Sequence, residues 1–251
     1  MGHRSCRIRN ALQSADRALA ILAAFSPDRP ALRVSELARE LGLHKSTVSR
    51  LLAILQARGL VRREGDHFEP GPELARLGAL AVSSLPLVEA ARKPLEELAE
   101  LTGETVNLAI RRGDEAVNVL QVQTVHFVGM TDWTGRGAPL HATANGKVLL
   151  AFGEDRLPSE LSALTDKTIV DRNELRAEVE RVRERGYAAA VEELEIGLVA
   201  VAAPVLDSFG ACAGAVSVSG PAYRLEPDGV AEPCLAAAAE ISRKLGFREA
   251  A

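Results

Sequence analysis

Lys45, Ser46, Thr47, Ser49 and Arg50 place two cations and three short hydroxyl side chains within one six-residue stretch. If that stretch is helical, Val48, Leu51, Leu52 and Leu55 stand at i, i+3, i+4 and i+7 and face a core, while the polar set faces the other way. A cationic, short-chained face near a helix N-terminus suits the major groove of duplex DNA. Arg50 could take the O6/N7 edge of a guanine, and the hydroxyls could reach base edges or phosphates without steric bulk. Lys45 and the amides of the first helical turn suit a phosphate. The same face would also serve as the solvated side of an ordinary helical hairpin, so its surroundings decide.

Those surroundings read as three helices and a hairpin. From Ser14 to about Phe25, Ala15, Ala18, Leu19, Leu22 and Ala23 recur at helical spacing. Ser26–Pro30 is a turn, Ser35 is placed to cap a short helix Glu36–Leu41, and Gly42 stops it. The third helix runs from about Lys45 to Arg58, with Gly59 just past its end. Leu60–Arg63, Glu64-Gly65-Asp66 and His67–Pro70 read as strand, tight turn and strand. Together they make a winged helix-turn-helix, with Arg62, Arg63 and His67 on a wing that rests on the DNA backbone or in the minor groove. His67 serves equally well as a surface residue of the wing tip. The division expected is a flexible basic tail (1–10), a DNA-binding domain (11–71), a linker helix (72–86) and a larger domain (87–251).

Charge agrees with that division. Residues 1–68 carry a net +6 and residues 69–251 a net −10, within an overall −4. A basic segment on an acidic body is the pattern of a domain that meets a polyanion, although small helical domains are often mildly basic. With 47% hydrophobic and 25% charged residues, the composition excludes a disordered or collagen-like chain. The apolar run Leu198–Leu206 is too short to span a bilayer, and no secretory apolar stretch follows the basic start. Cys6, Cys212 and Cys234 have neither disulfide nor zinc spacing, so a reducing cytoplasm and no metal or other cofactor are expected.

The remainder mixes helices with antiparallel hairpins. Pro86–Thr102 is an amphipathic helix closed by Gly103. Thr105–Arg111 and Ala116–Val122 alternate around Arg112-Gly113-Asp114, and Val125–Thr131 could add a third strand. Short helices follow at Thr143–Phe152 and from Asp171 to Arg185, then a hairpin of Val199–Leu206 with Ala211–Ser219, then a closing helix Asp228–Leu245. The fold class is α+β, with an antiparallel sheet.

From about Ala11 to Leu245 the chain resembles the isocitrate lyase regulator (IclR) family of bacterial transcriptional regulators. The segments that carry the likeness are SADRALAILAAF, VSELARELGLHKSTVSRLLAILQARGLV and FEPGPELARLG, then PLHATANGKVLLAF, RGYAAAVEELEIGLVAVAAPVLD and AVSVSGPAYRL. The resemblance implies a winged helix, a linker helix and a GAF/PAS-like effector domain. It also implies a homodimer or dimer of dimers on a double-stranded operator, acting as repressor or activator of a catabolic operon.

The resemblance further implies a small-molecule cup, walled here by Gly137-Ala138, by Ala189–Ala200, and by Ser217 and Ser219. Members that bind small α-keto acids resemble a GYxxDDEE pattern, where this chain has Ala190 and Val191 before Glu192 and Glu193. Ala200 stands where a cysteine is sometimes found. The loss of those polar groups suggests an apolar or aromatic acid in a cup with Phe127, Met130, Trp133, Ala190 and Ala200. Ser217 and Ser219 share one strand face and could donate to a carboxylate, or simply face solvent. No dinucleotide fingerprint, phosphate loop, nucleophile elbow or metal spacing occurs, and adjacent Glu192 and Glu193 would point apart. No catalytic residue is therefore expected. The alternative to a regulator is a small-molecule-binding module without DNA binding.

Overall fold

The computed structural model describes residues 2–26, 29–83, 86–123, 133–153 and 156–248, with the backbone alone for 2–12, 79 and 81–83. The chain divides into two compact units, residues 1–82 and 83–251.

The first unit holds α1 (Gly2–Ala23), β1 (Leu32–Arg33), α2 (Val34–Glu40), α3 (Lys45–Ala57), β2 (Val61–Glu64), β3 (His67–Pro70) and most of α4 (Pro72–Ser83). The hairpin β2–β3 pairs Val61 with Pro70 and Glu64 with His67, and β1 adds to its other side in the order β1-β3-β2. Ile21, Leu32, Leu37, Val48, Leu52, Leu55, Val61 and Phe68 form one core. Each such side chain contributes about 1.5–3 kcal/mol on burial. Gly42 adopts φ +63 between α2 and α3, and Leu43 N–H donates to Ala38 O at 2.9 Å, so the chain reverses in a left-handed turn.

Three boundaries differ from the sequence reading. Helix α1 begins at Gly2, so residues 2–10 are continuous with it and not a separate tail; no proline interrupts the segment. Helix α2 starts two residues early, at Val34, with Arg33 and not Ser35 as its cap. The Glu36 carboxylate accepts the Arg33 N–H at 2.8 Å, and pairing of Leu32-Arg33 with β3 holds the preceding residues extended. The expected linker helix is α4, with residues 84–85 outside the described residues.

The second unit holds α5 (Pro86–Thr102), β4 (Thr105–Arg112), β5 (Glu115–Val122), β6 (Gly137–Pro139), a 3-10 turn (Leu140–Ala142), α6 (Ala144–Phe152), α7 (Arg172–Arg185), β7 (Ala188–Val191), β8 (Leu198–Leu206), β9 (Cys212–Pro221) and α8 (Pro227–Lys244). Among the described residues six strands form one antiparallel sheet in the order β6-β5-β4-β9-β8-β7. The expected strand Val125–Thr131 lies outside the described residues.

Alternation sorts the sheet's side chains. Ala109, Ala116, Ala202 and Ala215 face α6 and α7, whereas the larger Val106, Leu108, Val201, Val216 and Val218 occupy the alternate positions, on the side of α5 and α8. Small residues under α6 let it lie close. Gly146 is part of that approach: a Cβ there would stand 2.2 Å from Leu140 O, so only glycine fits. Thr143 caps α6, its Oγ1 accepting from Gly146 N–H at 3.0 Å. Asp171 caps α7 through Asn173 and Glu174 N–H, and Gly186 closes it at φ +81.

Candidate functional site

Two sites emerge, one in each unit. In the first, burial of Val48, Leu51, Leu52 and Leu55 fixes the rotation of α3. Lys45, Ser46, Ser49 and Arg50 are thereby exposed, and Thr47 is half-buried. Arg50 Nε donates to Ser46 O at 3.3 Å, which lays the side chain along its own helix towards the N-terminal end. His44 Nδ1 meets Ser46 Oγ at 3.0 Å, just ahead of the first turn. The result is a solvent-facing strip of cations and hydroxyls at the dipole-positive end of a helix.

The wing is electrically different. Arg62 pairs with Glu69 at 2.6 Å, and Arg33 with Asp66 at 2.8 Å. Arg63 Nε donates to Gly65 O at 3.0 Å, with its guanidinium 6.0 Å from the Phe68 ring centroid. His67 lies 3.3 Å from both Asp66 and Glu69. The structure therefore places Arg62, Arg63 and His67 on the wing as the sequence suggested, but among carboxylates that offset much of their charge. Those carboxylates sit at Glu64, Asp66 and Glu69, in plain view in the sequence.

In the second unit a cup of about 80 Å³ opens on the α6 side of the sheet. Its floor comes from β4 and β9, where Asn107 and Ser217 are register partners. Asn107 Nδ2 donates to Ser219 Oγ at 3.2 Å, and Asn145 Nδ2, from the first turn of α6, donates to Ser217 Oγ at 2.9 Å. All four are buried: Asn107 is 7% exposed, Asn145 9%, Ser217 2% and Ser219 7%. Ala116 and Ala138 face each other across β5–β6, and with Ala200, Leu194, Leu198 and Trp133 supply apolar wall. Arg136 adds a cation at the wall, its guanidinium 5.8 Å from the Trp133 ring centroid.

Of the residues proposed for the cup, Trp133, Ala138, Ala200, Ser217 and Ser219 line it. Gly137 does not: strand alternation turns it to the other face, where a Cβ would meet the Glu115 carboxylate at 2.6 Å. Ala190 does not either. It pairs with Ala200 in register but packs into the core beneath α6. Phe127 and Met130 lie outside the described residues. The structure adds Asn107, Asn118, Arg136, Thr143 and Asn145, which the sequence reading missed. A signal was available: Asn145 and Lys147 are polar residues inside an otherwise apolar helix.

A buried ion network lies next to the cup. Lys147, only 1% exposed, donates to Glu193 Oε1 at 2.7 Å and to Ala189 O at 3.1 Å. Glu178 stands 3.9 Å away and is shared with Arg181 and Arg185. Burial pushes the Glu193 carboxyl above the usual carboxylate range, even with Lys147 beside it. The network fixes the segment carrying Leu194. On its other side Glu192, at φ +57, accepts from Gly197 N–H at 2.8 Å and pairs with Lys167.

With this geometry established, comparison with known proteins decides the family. The profile described as the IclR helix-turn-helix domain matches residues 14–65, and that described as bacterial transcriptional regulator IclR C-terminal matches residues 79–243. The chain belongs to the IclR family. It is 35% identical over 244 residues to the HTH-type transcriptional regulator BhcR of Paracoccus denitrificans, covering 94% of this chain and 87% of that protein. To the HTH-type transcriptional repressor AllR of Escherichia coli K12 it is 34% identical, covering 86% and 83%. The crystal structure of a putative ICLR transcriptional regulator from Silicibacter sp. TM1040 superposes with a TM-score of 0.81 at 30% identity, covering 94% and 97%. As an IclR regulator the protein is a DNA-binding transcription factor and not an enzyme. Among the described residues no helix is long and apolar enough to cross a membrane.

Proposed function

We propose that this regulator controls a catabolic operon in the cytoplasm and that a small organic acid in the cup sets its affinity for DNA. The exposed cationic strip of α3 carries the first half of the reading: Lys45 and Arg50 stand beside Ser46 and Ser49 on the face turned from the core. Two such helices, from a homodimer or a dimer of dimers, would enter successive major grooves of a double-stranded operator. Leu77 and Leu80 are exposed apolar residues on α4, which suits pairing of that helix with a second copy. The likeness to a named repressor favours repression.

The second half rests on charge in the cup. Arg136 lines it, and so do Thr143, Ala144 and Asn145 at the dipole-positive start of α6. Both favour an anion. Binding shifts the population of unit arrangements that fit the operator, with α4 as the lever; typical couplings are about 1–3 kcal/mol.

The test uses the promoter fragment of the protein's own operon. Wild type should retard it, with a steep log–log salt dependence. Arg50→Ala should lose sequence-specific retardation while its thermal shift with organic acids is unchanged. Acid binding by a wild type that fails to retard the fragment would leave a small-molecule-binding module without DNA binding.

A further inference from the structure

The polar floor of the cup says more about the ligand than its charge does. Asn107 and Asn145 each direct one of their two amide N–H groups to a serine, and in each the Oδ1 is buried with no partner among the described residues. The direction of the Asn107 bond is set from behind: Ser219 Oγ donates to Thr105 O at 3.4 Å, so it must accept from Asn107. Ser217 accepts from Asn145, which leaves its own O–H to donate. The floor thus carries two unmet amide acceptors, the second N–H of each amide and a hydroxyl donor, under a wall that carries Arg136. A carboxylate alone cannot complete this set, because it only accepts.

We infer that the effector is a small hydroxylated carboxylate: its carboxylate answers Arg136 and the N-terminal turn of α6, and a hydroxyl donates to the Oδ1 of Asn145, Asn107 or both. The inference rests on the effector reading of the cup and sharpens it. Asn145 and Asn107 become the residues that discriminate a hydroxy acid from its deoxy counterpart, since a buried acceptor left unmet penalises the analogue that lacks the donor. Size points the same way. A cavity of about 80 Å³ is far below the ~300–1,000 Å³ of drug-sized sites.

The experiment is calorimetric titration of the full-length protein with matched pairs: lactate and propionate, 3-hydroxybutyrate and butyrate, 4-hydroxybenzoate and benzoate. In at least one pair the hydroxylated member should bind about tenfold tighter or more. That gap should close in Asn145→Ala or Asn107→Ala, each first shown to unfold cooperatively. If neither variant folds, the wild-type pairs decide by themselves. Equal affinity within every pair, lost in Arg136→Gln, overturns this inference and leaves the acid effector standing. A gap that both folded variants retain overturns the roles given to the two asparagines, and with them the inference. No binding of any acid overturns the inference and the effector reading together.

Discussion

On α3 the five polar side chains come from six consecutive residues and stand in or near solvent, fixed by a core on the opposite side of the same helix. On the cup floor, Asn107 and Ser219 meet across 112 residues of sequence, and the polar groups are more than nine-tenths buried. Both regions set hydroxyls beside cationic side chains, and the cup adds carboxamides. They differ in what holds them. The helix face is set by the core on its other side, so its exposed polar groups can be changed at little cost to the fold. The buried region owes its geometry to the polar bonds themselves, so function and stability are coupled there.

The largest expected effect tests that coupling. Lys147→Met removes the cation from a buried network and strands Glu193, while Glu178 keeps Arg181 and Arg185, and should lower unfolding free energy by about 3–5 kcal/mol in urea titrations. The pH dependence has a definite sign. Burial already raises the folded-state pKa of Glu193, and losing Lys147 raises it further. The contribution of Glu193 to the variant's stability should therefore be fully present below the ordinary carboxylate value and be lost as pH rises through the elevated one. A loss under about 1 kcal/mol with no pH dependence would break the distinction, because this buried pair would then be no more costly to lose than an exposed one.

Next in size is Arg50→Ala, expected to weaken operator binding by about 1–3 kcal/mol in fluorescence anisotropy. Its unfolding free energy should stay within about 0.5 kcal/mol of wild type, as for an ordinary surface change. A destabilised Arg50→Ala protein would blur the contrast from the other side.

Within the DNA-binding unit a smaller contrast can be drawn between helix and wing. No carboxylate faces Lys45 among the described ion pairs, whereas Arg62 already pairs with Glu69. Lys45→Ala should reduce the log–log salt slope by about 0.9 if it meets one phosphate, and Arg62→Ala by less. Glu69→Gln should release Arg62, tighten binding at low salt and steepen the slope. An unchanged slope in Glu69→Gln would mean that the wing does not touch the backbone.

The same difference explains what could be read from sequence. Periodicity and a local cluster suffice for α3, because Val48, Leu51, Leu52 and Leu55 declare the inward side and thereby turn Lys45, Ser46, Ser49 and Arg50 outward. Helices α5, α7 and α8 and the two long hairpins were legible for the same reason. β1 and β6, at two and three residues, are too short to show alternation. The cup was harder still. Asn107 looks like any polar residue of a half-exposed strand until β9 is placed beside it. Taking Gly137 and Ala138 together as a wall ignored the two-residue period, which can turn only one of them inward. The expectation of an apolar cup came from counting what Ala190 and Ala200 lack, and missed what Asn145 and Arg136 supply.

The smallest effect concerns a clamp in the second unit that behaves like a surface feature. Asp114, in the β4–β5 turn, accepts from Ser159 N–H at 2.9 Å, from Arg156 at 2.9 Å and from the Ser159 hydroxyl at 3.0 Å. These contacts hold its carboxyl down to about 2, the backbone N–H of Ser159 contributing most. Its backbone oxygen also accepts from Leu140 N–H at 3.2 Å, just before the α6 cap, so the turn ties the β5 wall of the cup to the start of α6. A folded pKa below the ordinary value contributes stability that is present above that ordinary value and is lost as pH falls towards about 2. Asp114→Asn should accordingly unfold more readily than wild type at neutral pH and match it near pH 2. The neutral-pH difference should shrink with added salt, since Arg156 is exposed and its ion pair with Asp114 is screened. If the difference instead persisted in high salt and at low pH, the turn would belong with the buried region, and the line between the two kinds of site would have to be redrawn through it.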